Sequence, residues 1–182
     1  MKNAIKKCKR HSGFTMGEVL VAVAILVLIS AGLMPAAMSA YRNAVDAANA
    51  QVLLSTTVRA LRNELSTAWD VQRDTDDEKT IHYRSSTTGS RTKLYVKDSA
   101  IMIQDYSDFA DVDKKPVARR LVTDAMTKST GNIDMVITYT GAAPVDDGTI
   151  EISGLQVTRK GSSSALAELP KLIIRPLGGG NG

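Results

Sequence analysis

The chain has 182 residues, of which 43% are hydrophobic and only 4% aromatic, and it carries a single cysteine. That composition suits one modest, aliphatic-cored domain with an appendage and excludes an intramolecular disulfide framework. The net charge of +4 also misleads: Lys2, Lys6, Lys7, Lys9 and Arg10 all precede Gly13, and without those five the 23 basic residues fall to 18 against 19 acidic ones, which leaves no overall footprint for nucleic acid.

The first element is therefore a short basic segment, "MKNAIKKCKR", set before an apolar run. Such a cluster is a topology signal that holds its end of the chain in the cytoplasm. Cys8 lies within it and reads as a plain cytoplasmic thiol. The apolar run follows, Val19 to Met38, 20 residues without a charge. At 1.5 Å per residue it makes about 30 Å of helix, enough to cross a hydrocarbon core. It exceeds the usual apolar region of a cleaved secretory signal. A permanent signal anchor fits the length and the basic flank; so does a leader removed ahead of the run. Glu18, a lone carboxylate at the mouth of the run, is an interfacial residue under the first reading.

The stretch "SGFTMGE" resembles the processing site of type IV prepilins and pseudopilins. The resemblance covers roughly the first 60 residues and rests on the basic leader, Gly-Phe-Thr at 13–15, Glu18 and the unbroken apolar run. It implies cleavage between Gly13 and Phe14 by a prepilin peptidase, N-methylation of Phe14, and an assembly role for Glu18. In that family the acid of one subunit neutralises the new terminal amine of a neighbour, and an ion pair in a low-dielectric core leaves an uncompensated charge when broken. Pro35 also falls where the family commonly has a proline. Gly17 departs from the pattern, since many members carry a larger apolar residue there. Gly32 and Pro35 weaken one turn of the helix, which makes it a place where a membrane helix can bend on packing.

Beyond Pro35 the pattern turns amphipathic. Leu54, Val58, Leu61 and Leu65 form one helical stripe, with Trp69 at its next step, and Arg42, Asp46, Arg59, Arg62 and Glu64 supply a polar face. The expectation is one helix from Phe14 to about Val71, with the stripe buried against a sheet. The stripe is too short for a sustained coiled coil.

From Gln72 the texture changes to short β-like runs. "KTIHYRS" and "RTKLYVK" flank "STTGS" as a hairpin, "AIMIQ" follows, and "ARRLVTDAM" is ambiguous between strand and short helix. "IDMVITYT" and "TIEISGLQVTRK" are the clearest strands, with a turn at Asp147-Gly148, and "KLIIR" is a candidate last strand. The expected fold class is α+β and pilin-like: one long N-terminal helix packed on a C-terminal antiparallel sheet of about four to six strands. The expected division is a basic leader (1–13), a transmembrane and filament-core helix (14–38), an amphipathic helix entering the head (39–71), a β-rich head (72–176) and a flexible tail (177–182).

Chemistry is sparse. The two histidines, His11 and His82, join no cluster of zinc spacing, and "GGGNG" opens no phosphate-binding helix. No catalytic constellation assembles, so an enzyme is not expected and no cofactor is required. Asp105, Asp108, Asp111 and Asp113 offer hard oxygen ligands for Ca2+, but without EF-hand spacing, and a solvated acidic loop is the favoured reading. Lys114, Lys115, Arg119 and Arg120 read as a solvated basic segment rather than a DNA-binding patch.

The resemblance implies a structural subunit that polymerises into a type IV pilus or pseudopilus, in contact with membrane lipid, a prepilin peptidase, an inner-membrane platform and a cytoplasmic assembly ATPase. Major pilin, minor pilin, secretion pseudopilin and competence pseudopilin stay open, although a retained Glu18 argues against tip-type pseudopilins. The alternative is a monomeric signal-anchored binding or enzymatic domain.

Overall fold

The computed structural model describes residues 14–106, 116–127, 134–145 and 147–177. The chain divides into two compact units, Met1–Asn43 and Ala44–Gly182. Helix α1, Met16–Leu65, supplies the described helix of the first unit and one face of the core of the second.

In the second unit, α1 turns Asp46, Ala50, Leu53, Thr57, Leu61 and Leu65 inward. Their spacing of three and four keeps them on one face of a 3.6-residue helix. The predicted stripe is thus right at Leu61 and Leu65 but centred slightly off, since Leu54 and Val58 are only partly buried and flank it.

The helix also stops earlier than expected, at Leu65, and Trp69–Arg73 is strand β1 rather than the last turns of a helix. No glycine marks this end. Instead the Ala68 N–H donates to the Leu65 carbonyl at 3.2 Å, and the Leu177 N–H donates to the Ser66 carbonyl at 2.6 Å. A residue more than a hundred positions away thus satisfies a carbonyl that the helix leaves open. Trp69, placed by periodicity on the buried stripe, is 42% exposed, with the Arg84 guanidinium 5.0 Å above its ring.

The remaining strands are β2 (Ile81–Arg84), β3 (Arg91–Lys97), β4 (Ala100–Tyr106), β5 (Val117–Arg120), β6 (Met135–Thr138), β7 (Gly141–Pro144), β8 (Ile150–Arg159) and β9 (Ala165–Ile174), with a short helix α2 (Asp124–Thr127) after β5. They form two antiparallel sheets, not one. The first has the order β1-β2-β3-β4-β5; in the second, β6 and β7 pair with β8, and β9 pairs with β8 as well. The ambiguous "ARRLVTDAM" divides into both candidates, a strand and then a helical turn.

Register explains the core. Ile81, Leu94 and Ile103 lie opposite one another across β2, β3 and β4, and so do Tyr83, Thr92 and Asp105. The first row is fully buried apolar surface, each side chain contributing about 1.5–3 kcal/mol on burial. The β3–β4 turn has Asp98 at φ 51° and Ser99 at φ 57°, the double left-handed backbone of a tight two-residue hairpin.

In the second sheet, β6 and β7 keep one register against β8, Thr138 facing Gln156 and Gly141 facing Ser153. They act as one strand interrupted at Tyr139-Thr140. Gly154 stands opposite the interruption at φ 62°, and a Cβ there would run into the Thr140 side chain. Only glycine accepts both the backbone and the space.

Two carboxylates tie α1 to the sheets. Glu64 accepts from the Tyr83 hydroxyl at 3.0 Å in the first sheet and from Arg119 at 3.5 Å. Asp46, only 3% exposed, accepts from Arg159 at 2.8 Å at the end of β8 in the second. Burial, and then the Glu64 charge, pushes the Tyr83 phenol well above its ordinary pKa, so it stays a donor. Burial has the same effect on Tyr139, whose hydroxyl donates to the Lys79 carbonyl at 2.8 Å.

Candidate functional site: the apolar helix and its acid

In the first unit, α1 is apolar on every side. An 18-residue window of mean hydropathy 2.6 is wholly exposed, with Leu20 at 66% and Leu28 at 72%. A continuous apolar surface of that size needs a nonaqueous cover. The helix runs through Gly32 and Pro35 without a break. Pro35 donates no amide hydrogen bond, and a Cβ on Gly32 would meet open space.

Glu18 sits in the first turn, and the geometry gives it a local role that the sequence analysis missed. The Thr15 N–H donates to Glu18 Oε2 at 2.8 Å, and the Thr15 hydroxyl donates to the same oxygen at 3.0 Å. In return the Glu18 N–H donates to Thr15 Oγ1 at 3.3 Å, and the Val19 N–H makes the first helical bond to the Thr15 carbonyl at 3.2 Å. Thr15 is therefore the N-cap and Glu18 the third helical residue of a reciprocal capping box. The signal was present as Thr-x-x-Glu ahead of an apolar run. A carboxylate at this place also meets the positive end of the helix dipole. Phe14, just before the cap, lies outside the helix and is 85% exposed.

The other sequence-derived sites are scattered. Gly13 and the basic leader lie outside the described residues, as do Asp108, Asp111, Asp113, Lys114 and Lys115, and the terminal glycines from position 178 on. Asp105 is on β4, where it accepts from the Thr92 hydroxyl at 3.0 Å. Arg119 is committed to Glu64, and Arg120 lies beside it on β5. Among the described residues no group of three or more His, Cys, Asp or Glu side chains is arranged to hold a metal. His82 donates or accepts at 3.0 Å with Asp74, a surface pair in the head.

A long N-terminal helix with an exposed apolar half, packed farther on with antiparallel sheets, defines a membrane-anchored single-pass protein of pilin-like α+β arrangement. Residues 8–34 match the prokaryotic N-terminal methylation motif, the prepilin signal of type IV pilins and pseudopilins. The chain thus begins with a prepilin-like signal. No curated protein and no solved structure matched the chain.

Proposed function

We propose that this chain is a filament subunit: cut between Gly13 and Phe14 by a prepilin peptidase, N-methylated at Phe14, and assembled with like subunits into a type IV pilus or pseudopilus. The observation that carries this reading is the methylation motif over residues 8–34, laid on a helix whose apolar half is exposed on all sides. Lipid covers that surface before assembly, and neighbouring helices cover it afterwards. The basic leader orients the N-terminus to the cytoplasm and the head to the outside. An inner-membrane platform and an assembly ATPase extract the subunit; no cofactor enters the scheme.

The capping box fits Glu18 to this work. One carboxylate oxygen is satisfied within the subunit, so the acid can wait at the membrane surface without a partner. On assembly it pairs with the ammonium of a neighbouring Phe14. Gly32 and Pro35 provide the turn at which the helix adapts to the bundle.

Intact mass of the membrane-extracted protein tests the reading. The expected species lacks Met1 to Gly13 and carries one added methyl group. An uncleaved chain would instead support a single-pass signal-anchored binding or enzymatic domain.

A further inference from the structure

We propose that the outer face of the five-stranded sheet is a binding platform for an acidic polysaccharide, with one sugar carboxylate seated at Arg91 and sugar rings laid on Trp69 and Tyr106. The inference goes beyond filament assembly and does not depend on it.

Register builds the platform. Trp69 faces Arg84 across β1 and β2, Arg84 faces Arg91 across β2 and β3, and Arg91 faces Tyr106 across β3 and β4. Residues opposite one another in antiparallel strands share a face. Tyr83 and Thr92, one position away on β2 and β3, are buried on the inner face, so this row points away from the core. Its members meet solvent: Trp69 is 42% exposed, Tyr106 38%, and Arg91 is exposed as well. The strands that carry the two rings are three spacings apart, about 14 Å.

The charges of the row are unbalanced in a defined way. Like charges directly opposite destabilise a strand pair, and Arg84 stands directly opposite Arg91. One carboxylate answers them, Asp70, whose Oδ2 lies 3.7 Å from Arg84 Nε, too far for a hydrogen bond. A bulge between Trp69 and Gln72, with Asp70 at φ 51°, brings both Trp69 and its neighbour Asp70 to the same guanidinium, which successive residues of a regular strand would not do. Arg84 is thus occupied, held between Asp70 and the Trp69 ring, and its work is to fix that ring. Arg91 is the open cation: among the described residues its side chain makes no ion pair and no hydrogen bond. Two guanidiniums against one carboxylate leave one positive charge, and a planar guanidinium takes a carboxylate through two parallel hydrogen bonds.

The next row on the same face is Gln72, His82, Lys93 and Gln104. Lys93 and His82 both face Asp74, at 3.9 and 3.0 Å, so this row adds amide groups suited to sugar hydroxyls and no open cation. That balance selects the partner. An aromatic ring accepts the flat apolar side of a sugar as readily as a nucleobase, so the rings do not decide. A polynucleotide carries a phosphate at every step and needs a groove of cations along its backbone. A single open arginine between two rings matches instead a chain in which carboxylates are spaced among uncharged sugars.

Titration of the full-length chain in detergent micelles tests the platform. The probes are hexasaccharides of polygalacturonate, alginate and hyaluronan, with maltohexaose as the uncharged control and a single-stranded oligonucleotide as the competing polyanion. At least one acidic hexasaccharide is expected to change Trp69 fluorescence saturably, with affinity confirmed by calorimetry. Arg91→Gln should weaken that binding about tenfold, the loss of one charge-assisted contact. Arg91→Lys, which keeps the charge without the fork, should recover only part of it, and Tyr106→Ala should weaken binding as well. Arg59→Gln removes an exposed cation on α1 and should change nothing. Unaltered Trp69 emission from Arg91→Gln without sugar shows that its head is folded. The platform is overturned if none of the three acidic hexasaccharides binds, if maltohexaose or the oligonucleotide binds more tightly than they do, or if Arg59→Gln costs as much as Arg91→Gln. Each of those results leaves the filament reading, which rests on the mass of the processed chain, where it was.

Discussion

The pairing of Asp46 with Arg159 makes an asymmetric prediction about the head. The two side chains meet at 2.8 Å, but Asp46 has 4% of its side-chain surface exposed and Arg159 has 34%. Removing one member of a buried pair costs about 3–5 kcal/mol, because the survivor is an uncompensated charge in low dielectric. Arg159→Met leaves the survivor that is truly buried, the carboxylate, and should cost about 3–4 kcal/mol at neutral pH. Asp46→Ala leaves a guanidinium with a third of its surface already in water, so screening cuts the loss to about 1–2 kcal/mol. The combined Asp46→Leu and Arg159→Met chain buries no charge, and should be less destabilised than Arg159→Met alone. Trp69, the sole tryptophan, belongs to this unit, and its fluorescence can follow urea unfolding of the full chain in detergent micelles. Equal losses from the two single substitutions, or a larger loss from Asp46→Ala, would refute the argument from burial.

Three further outcomes follow from particular contacts. Glu18→Ala removes the capping box and the proposed intermolecular partner together; membrane insertion should persist while filament incorporation falls, read by fractionating membranes and sheared filaments, and normal incorporation would count against the role. Gly154→Ala forces a Cβ into Thr140 at a left-handed backbone and should destabilise the head by about 1–3 kcal/mol, seen as a lower urea midpoint with an unchanged slope. Amide and His82 hydrogen bonds hold the Asp74 carboxyl below its usual pKa, and the Thr80 hydroxyl and Lys79 amide do the same for Asp77. Their contribution is therefore complete above the ordinary carboxylate value near 3.9 and is lost as pH falls through the depressed one. Urea midpoints taken between pH 6 and 2.5 should fall less steeply at the acid end in Asp74→Asn than in the parent chain.

The parts of the molecule that depend on local pattern were legible along the chain. Twenty uncharged residues make a membrane-length helix, because a lone segment in lipid can satisfy its backbone polar groups only within itself. Gly-Phe-Thr at 13–15 and Glu18 were legible as a motif, and even the missed capping box was there as Thr-x-x-Glu. The hairpin around "STTGS" and the strand ending at Arg159 announced themselves by alternation and turn residues. Tertiary structure decided where α1 ends, because its last open carbonyl is met by Leu177 from the far end of the chain. It also turned Trp69 from a buried stripe residue into half of a surface stack with Arg84. The division into two sheets, and the merging of β6 and β7 into one interrupted strand opposite Gly154, were equally hidden. Short strands such as "GAAP" carry no alternation of their own and acquire their identity only from the strand they pair with. The Asp46–Arg159 and Glu64–Tyr83 links join positions far apart in the chain, and no local pattern encodes a partner that only folding brings near.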